Sequence, residues 1–243
     1  MKVIQGNDKQ FVLVYGPSGT GKTHLSSTLG ELGKVLIIDV DQGSNTIFSD
    51  KINKKHADNI TVVDFTTFAD LDAAFQAVKK NTPEHWSKVF GETIEHSFDW
   101  VVWDTWSELQ YFMREGNRIQ NDHSKFAGKF EWRNSLTQPQ WGQIYDLNML
   151  AIRELRKLPI KQLFIMQEAT FKDDDTGVVT GGPSISGKMV QEFPALFDTV
   201  VHQTVNLRGE FLSSTQAKGR FPAKSRKKPP AVYTNSTLKD ILY

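Results

Sequence analysis

Apolar runs of strand length alternate with helix-spaced apolar positions along most of the chain. Phe11-Val12-Leu13-Val14-Tyr15, Val35-Leu36-Ile37-Ile38, Ile60 to Phe65, Trp100-Val101-Val102-Trp103 and Leu163-Phe164-Ile165-Met166 are nearly unbroken. Such runs suit strands buried on both faces of a parallel sheet. Between them lie helical spacings. Leu25, Leu29 and Leu32 follow the first run, and Phe68, Leu71, Ala74, Phe75 and Val78 follow the third, with Thr66 or Thr67 as cap. Ser107 to Arg114 reads as helical. A longer stripe (Trp141, Ile144, Tyr145, Leu147, Asn148, Leu150, Ala151, Leu155, Leu158) ends at Pro159. Residues 82–98 read as a loop, residues 115–138 as an irregular excursion, and Lys172 to Lys188 as a Gly- and turn-rich stretch. Thr199 to Val205 and Phe211 to Thr215 alternate with the period of strands. The pattern predicts an α/β fold: a mostly parallel sheet with helices on both faces and an antiparallel C-terminal extension.

One stretch between the first strand and the first helix carries chemistry. Gly16-Pro17-Ser18-Gly19-Thr20-Gly21-Lys22-Thr23 fits the G-x-x-x-x-G-K-[ST] pattern of a phosphate-binding loop, in the strand–loop–helix context that loop requires. Its glycines let successive backbone N–H groups turn toward phosphate oxygens, and the following helix adds the partial positive charge of its start. Lys22 is placed to reach the β- and γ-phosphates and the Thr23 hydroxyl to hold Mg²⁺; His24 closes the binding segment. The loop predicts a nucleoside triphosphate ligand, ATP with Mg²⁺.

Three further positions sit where apolar strands run out. Asp104 follows Trp100–Trp103 and is the candidate Mg²⁺ ligand beside Thr23. Asp41 is the candidate for orienting an attacking water, with Asp39 in reserve; the alternative is a pair of turn-forming aspartates. Gln167 ends an otherwise apolar strand, where its amide can bond a γ-phosphate, or else be satisfied by neighbouring backbone. In the 115–138 excursion Phe126, Phe130 and Trp132 interleave with Lys125, Lys129 and Arg133, a mixture suited to single-stranded nucleic acid. The six histidines show no metal-ligand spacing.

Composition sharpens the picture in two ways. Of 243 residues 39% are hydrophobic and 23% charged, as in ordinary globular domains, and the absence of cysteine excludes disulfide scaffolds and thiolate zinc sites. No signal peptide or membrane span is read from the sequence, so a cytoplasmic location is expected. The net charge of +1 conceals an asymmetry: 7 of the 29 basic residues and none of the 28 acidic ones lie between Phe211 and Lys239. This basic segment, which contains Lys224 and Arg226, suggests contact with a polyanion, or cations offered to a neighbouring subunit's nucleotide, or a solvated tail.

Four segments together resemble the RecA-like ATPase core: the phosphate loop, Ile38-Asp39-Val40-Asp41, Val101-Val102-Trp103-Asp104-Thr105 and Phe164-Ile165-Met166-Gln167. The short chain, the helix containing Tyr145 and Ala223-Lys224-Ser225-Arg226 are similar to the phage-type minimal members, including Sak-type single-strand annealing ATPases. The resemblance implies a core over residues 1–210, with a basic strand and tail segment, 211–243, on or beside it. It implies ATP hydrolysis at subunit boundaries in a ring or filament, with Lys224 and Arg226 as trans-acting cations. It also implies single-stranded DNA as partner, met by residues 115–138 and 171–187; in a phage-encoded protein the location would be the host cytoplasm. Asp41 stands where the recombinases carry Glu, and Asp173-Asp174-Asp175 places acid in the second loop. The alternatives are a small-molecule or nucleotide kinase and a non-enzymatic, ATP-gated assembly factor.

Overall fold

The structure, a computed structural model, describes residues 9–43, 47, 53–64, 68–110, 113–114, 138–172, 177, 179–185 and 189–243. The excursion at 115–137 lies outside them, with Phe126, Phe130, Trp132 and their flanking cations. So do Thr66 and Thr67, and residues 173–176, 178 and 186–188 of the second expected loop.

The apolar runs become the central strands: β1 (Phe11–Gly16), β2 (Val35–Asp39), β3 (Ile60–Asp64), β4 (Trp100–Asp104), β5 (Lys161–Lys172) and β7 (Thr199–Val205). They pair in parallel in the order β3-β2-β4-β5-β1-β7. Beyond β7, β8 (Phe211–Ser214) and β10 (Val232–Thr234) continue the sheet antiparallel, and β9 (Lys224–Ser225) pairs with the start of β7. Residues after 211 are therefore woven into the sheet edge. The expected α/β architecture, a mostly parallel sheet with an antiparallel C-terminal extension, is observed.

Strand alternation divides the core into two layers. On one face Phe11, Leu13, Tyr15, Ile38, Trp103 and Phe164 pack against α2 (Phe68–Lys80), α3 (Pro83–Phe90) and α4 (Gln138–Lys157). On the other, Val12, Val14, Ile37, Val102 and Ile165 pack against Leu25 of α1 (Lys22–Ser27), Leu29 of the 3₁₀ turn that follows it, and Leu238 and Ile241 of α5 (Leu238–Leu242).

Three expectations are corrected. Residues 83–90 form a helix rather than part of a loop: the Thr82 hydroxyl caps the His85 N–H, Pro83 occupies the first turn, and Gly91 ends the helix at φ 70°. That is the N-terminal Pro, C-terminal Gly asymmetry of helices, and its reward is the burial of Trp86. In α4 the buried positions are Ile144, Asn148, Met149, Ile152 and Leu155, whereas Trp141, Leu147 and Leu150 are 36%, 43% and 56% exposed. Asn148 belongs inside because its side chain bonds the Trp106 indole and the Ile144 carbonyl. Finally, β5 runs five residues past Gln167 and returns through β6 (Val179–Pro183) as a hairpin, so the second Gly-rich stretch is partly strand.

Candidate nucleotide site

The carboxyl ends of β1, β4 and β2 meet at one edge of the sheet, with Gln167 of β5 among them. Ligands collect at such a crevice in open α/β folds. The phosphate-loop strand β1 and the Asp104 strand β4 are not neighbours: β5 lies between them and delivers Gln167 directly beside Gly16.

Two close approaches explain the loop's glycines. A Cβ on Gly16 would stand 2.0 Å from the Gln203 carbonyl oxygen of β7, so only glycine lets the loop leave β1 at that point. Gly21 has φ 78°, and a Cβ there would come within 2.9 Å of the Phe211 ring, which covers this turn. Thr20 Oγ1 donates to the Pro17 carbonyl at 2.9 Å and closes the loop on itself.

Lys22 lies at the centre of the site. Its Nζ donates to the carbonyls of Gly16 (2.9 Å) and Pro17 (2.8 Å) and to Gln167 Oε1 (3.2 Å). Burial lowers its pKa, opposed by the negative charge of Asp104, Asp41 and Glu168. Thr23 Oγ1 donates to Asp104 Oδ2 at 2.9 Å. The other Asp104 oxygen, Oδ1, is buried with no hydrogen-bond partner. Desolvation, with Asp41 and Asp39 adding to it, pushes the Asp104 carboxyl up to about 7, while Thr23 and Lys22 pull it down. Asp39 faces Asp104 across the β2–β4 pairing, and the Asp39 and Asp41 carboxyls are hydrogen-bonded to each other. Desolvation and then Asp39 raise the pKa of Asp41.

The Asp104 carboxyl, with its orphaned buried oxygen, and the Thr23 hydroxyl bonded to it fit a divalent cation. Thr23 and Asp104 would hold Mg²⁺, which when bound supplies Lewis-acid stabilisation of phosphate charge. Among the described residues no group of three or more His, Asp or Glu side chains gathers to bind a metal. The arrangement is that of a cation held by few protein groups and completed by substrate phosphates.

The structure thus brings Lys22, Thr23, Asp104, Gln167, Asp39 and Asp41 together. It does not bring Lys224 or Arg226 there. Both lie at the opposite edge of the sheet, where Arg226 Nη1 contacts Asp198 Oδ1 at 3.2 Å and Lys224 Nζ donates to the Ala195 carbonyl at 3.1 Å. The His24 ring lies 6.1 Å from that of Phe211.

Three residues escaped sequence reasoning. Ser107 Oγ accepts from the Gln167 N–H at 3.2 Å and donates to the Ser184 carbonyl at 3.1 Å, tying Gln167 of β5 to the end of the hairpin. Glu168 Oε2 lies 2.6 Å from His202 Nε2, and the His202 ring stacks between Tyr15 and Phe221. Phe211 covers the Gly21 turn. All three act through partners distant in sequence, and no local spacing marks them.

The model of a family described as AAA domain matches residues 8–227 of the chain. No curated protein is matched by sequence. Among solved structures the chain is similar to one titled "Crystal structure of the RadB recombinase", at 15% identity and a TM-score of 0.45, covering 87% of this chain and 82% of that one.

Proposed function

Because the match spans most of its length, the chain belongs to the AAA domain family, and on that premise we propose that it is a Mg²⁺-dependent ATPase acting on single-stranded DNA in phage-type recombination or annealing. Lys22 neutralises the β- and γ-phosphates, and the loop N–H groups cradle them. Thr23 and Asp104 hold the cation. Asp41 orients the attacking water, with Asp39 beside it fixing its carboxyl. Gln167 bonds the γ-phosphate.

The observation that carries the reading is the continuous path from Lys22 through Gln167 to the β5–β6 hairpin. Gln167 bonds Lys22 with its side chain, while its backbone bonds Ser107 Oγ and accepts from the Ser184 N–H at 2.7 Å. A side chain that senses phosphate is built into the base of an element that projects from the same edge. The hairpin and residues 115–138 are the proposed DNA-facing parts. Lys224 and Arg226 are too far from their own nucleotide edge to serve it, which suits a role toward a neighbour's nucleotide in a ring or filament.

The test is the ATPase rate with and without single-stranded DNA, for wild type and Lys22→Ala, at two salt concentrations. DNA-stimulated turnover that disappears in the variant and weakens with salt is the expected result. Turnover indifferent to DNA would sink the DNA-dependent part. Phosphoryl transfer to an added nucleotide would replace the reading with a kinase.

A further inference from the structure

We propose that the N-terminal edge of the sheet, away from the phosphate loop, is a second contact surface for the backbone of single-stranded nucleic acid. The inference does not depend on the ATPase reading, because none of its residues lies at the chain's own nucleotide edge and Lys161, Lys227 and Tyr243, on which its test acts, have no part in that reading.

The topology gathers cations there from four separated segments. Lys161 opens β5, α4 ends in Arg156 and Lys157, Lys9 precedes β1, and Lys224 to Lys228 cross the edge as β9 pairs with Thr199 and Val200. In one half of the surface a single carboxylate serves two guanidiniums: Asp198 Oδ1 lies 2.9 Å from Arg156 Nη2 and 3.2 Å from Arg226 Nη1. Lys9 donates to the Arg156 carbonyl at 2.6 Å, and Lys224 sits beside both arginines. Desolvation lowers the pKa of both lysines, and like charge adds to it, Arg156 at Lys9 and Arg226 and Arg156 at Lys224, with Asp198 opposing in both cases. Among the described residues Lys9, Arg156, Lys224 and Arg226 gather about the one carboxylate of Asp198, while Lys157 is paired with Glu154.

The other half carries an aromatic ring. Tyr243, 50% exposed, has the amines of Lys161 and Lys227 each 5.9 Å from its ring centroid. The Lys161 amine also lies 3.3 Å from the tyrosine hydroxyl. Lys228 donates to the Asp240 carbonyl at 2.7 Å. The run 224–228 joins the two halves into one strip.

A scatter of solvated lysines is the plain alternative. It does not account for cations from four segments gathered along one edge, two of them beside an exposed ring, on a protein whose residues outside 211–239 carry 22 basic against 28 acidic side chains. Cations tracking a backbone beside an aromatic that accepts any base is the arrangement used for single strands.

The experiment is fluorescence anisotropy of a labelled 30-nucleotide oligo-dT with the full-length protein, without nucleotide, across a salt series. Lys161→Glu/Lys227→Glu is expected to weaken binding at least about 10-fold and to flatten the log–log salt slope by about 1.4, the value for two lost phosphate contacts on a single strand. Tyr243→Ala is expected to weaken binding several-fold while Tyr243→Phe keeps it. Unstimulated ATPase turnover stays at the wild-type level in all of these. If the charge-reversed pair does not fold, judged by its circular dichroism melt, Lys161→Gln/Lys227→Gln carries the same expectation of a flattened slope. Variants that bind within about twofold of wild type with an unchanged slope would overturn the proposal. So would wild-type protein that binds poly-glutamate but not oligo-dT, which would assign the edge to an acidic protein partner.

Discussion

Thr23 Oγ1 donates a 2.9 Å hydrogen bond to Asp104 Oδ2, joining the first turn of α1 to the end of a strand that is not its neighbour in the sheet. The bond leaves Asp104 Oδ1 buried and unpartnered. An ionised carboxylate in that position is costly without a cation, which is why its carboxyl is pushed up to about 7.

The sign of the pH effect follows. Between the unfolded value near 4 and about 7, the metal-free native state holds a proton at Asp104 that the unfolded chain has released. The stabilisation is fully present below the unfolded value and is lost as pH rises through about 7, at up to ~1.4 kcal/mol per pH unit within the window. In chelator, wild type should show a urea midpoint that falls between pH 5 and 7.5, and Asp104→Asn a flatter one. Adding Mg²⁺ should restore wild type at the higher pH and leave the variant unmoved. Equal slopes for the two proteins would place the pH dependence elsewhere.

Gln167 should matter to turnover more than to binding. Its amide touches Lys22 at 3.2 Å, whereas in the proposed site the loop N–H groups and Lys22 would hold phosphate without it. Gln167→Ala is expected to lower kcat by roughly 10- to 100-fold with nucleotide affinity within about threefold, since the lost contact is one made to developing phosphate charge. Ser107→Ala is expected to keep unstimulated turnover and to lose part of the stimulation by single-stranded DNA, because Ser107 links Gln167 to Ser184 and not to nucleotide. Steady-state kinetics on both variants, with and without oligo-dT, separates the two effects.

The central strands were legible because their signal is local: Val12 to Tyr15, Leu36 to Ile38 and Leu163 to Met166 are apolar at every position, and only a strand buried on both faces asks for that. That Lys22, Thr23 and Asp104 gather at one place was legible from the phosphate loop's spacing and from the aspartate that ends an apolar strand, while their roles rest on the proposed function. Ser107, Glu168 and Phe211 were not, since each acquires its role from a residue tens of positions away, across the sheet. The α4 face was misread for a related reason. Trp141, Leu147 and Leu150 are apolar yet exposed, and Met149 and Ile152, outside the predicted stripe, are buried, whereas Asn148 lies inside as the stripe has it, satisfied by Trp106. The helix at Pro83–Phe90 was hidden by the proline that starts it.

That helix offers a direct check. Thr82 accepts from the His85 N–H, and the Asn81 side chain accepts from the Trp86 indole at 3.0 Å. Thr82→Ala should cost about 1 kcal/mol in urea unfolding, the ordinary value of an N-cap. Trp86→Ala, which empties a fully buried site, should cost about 3–5 kcal/mol. A helix that was an incidental turn would show neither loss.

Two glycines should respond differently to the same methyl group. At Gly91 a Cβ meets nothing within 4 Å, so Gly91→Ala is charged only for φ 70°, about 1–2 kcal/mol, and nucleotide binding should be untouched. At Gly16 a Cβ would lie 2.0 Å from the Gln203 carbonyl oxygen, a backbone atom in the neighbouring strand that no rotamer change can move. β1 and β7 would have to part at the point where the phosphate loop begins. Gly16→Ala should therefore cost about 3 kcal/mol or more and should also weaken nucleotide binding, because the displaced atoms carry the loop carbonyl that Lys22 bonds. Urea unfolding and equilibrium binding of a fluorescent ATP analogue on the two variants read both quantities. Loss of stability in Gly16→Ala with full nucleotide affinity would mean that the loop's geometry is set by its own turns and not by its seat against β7.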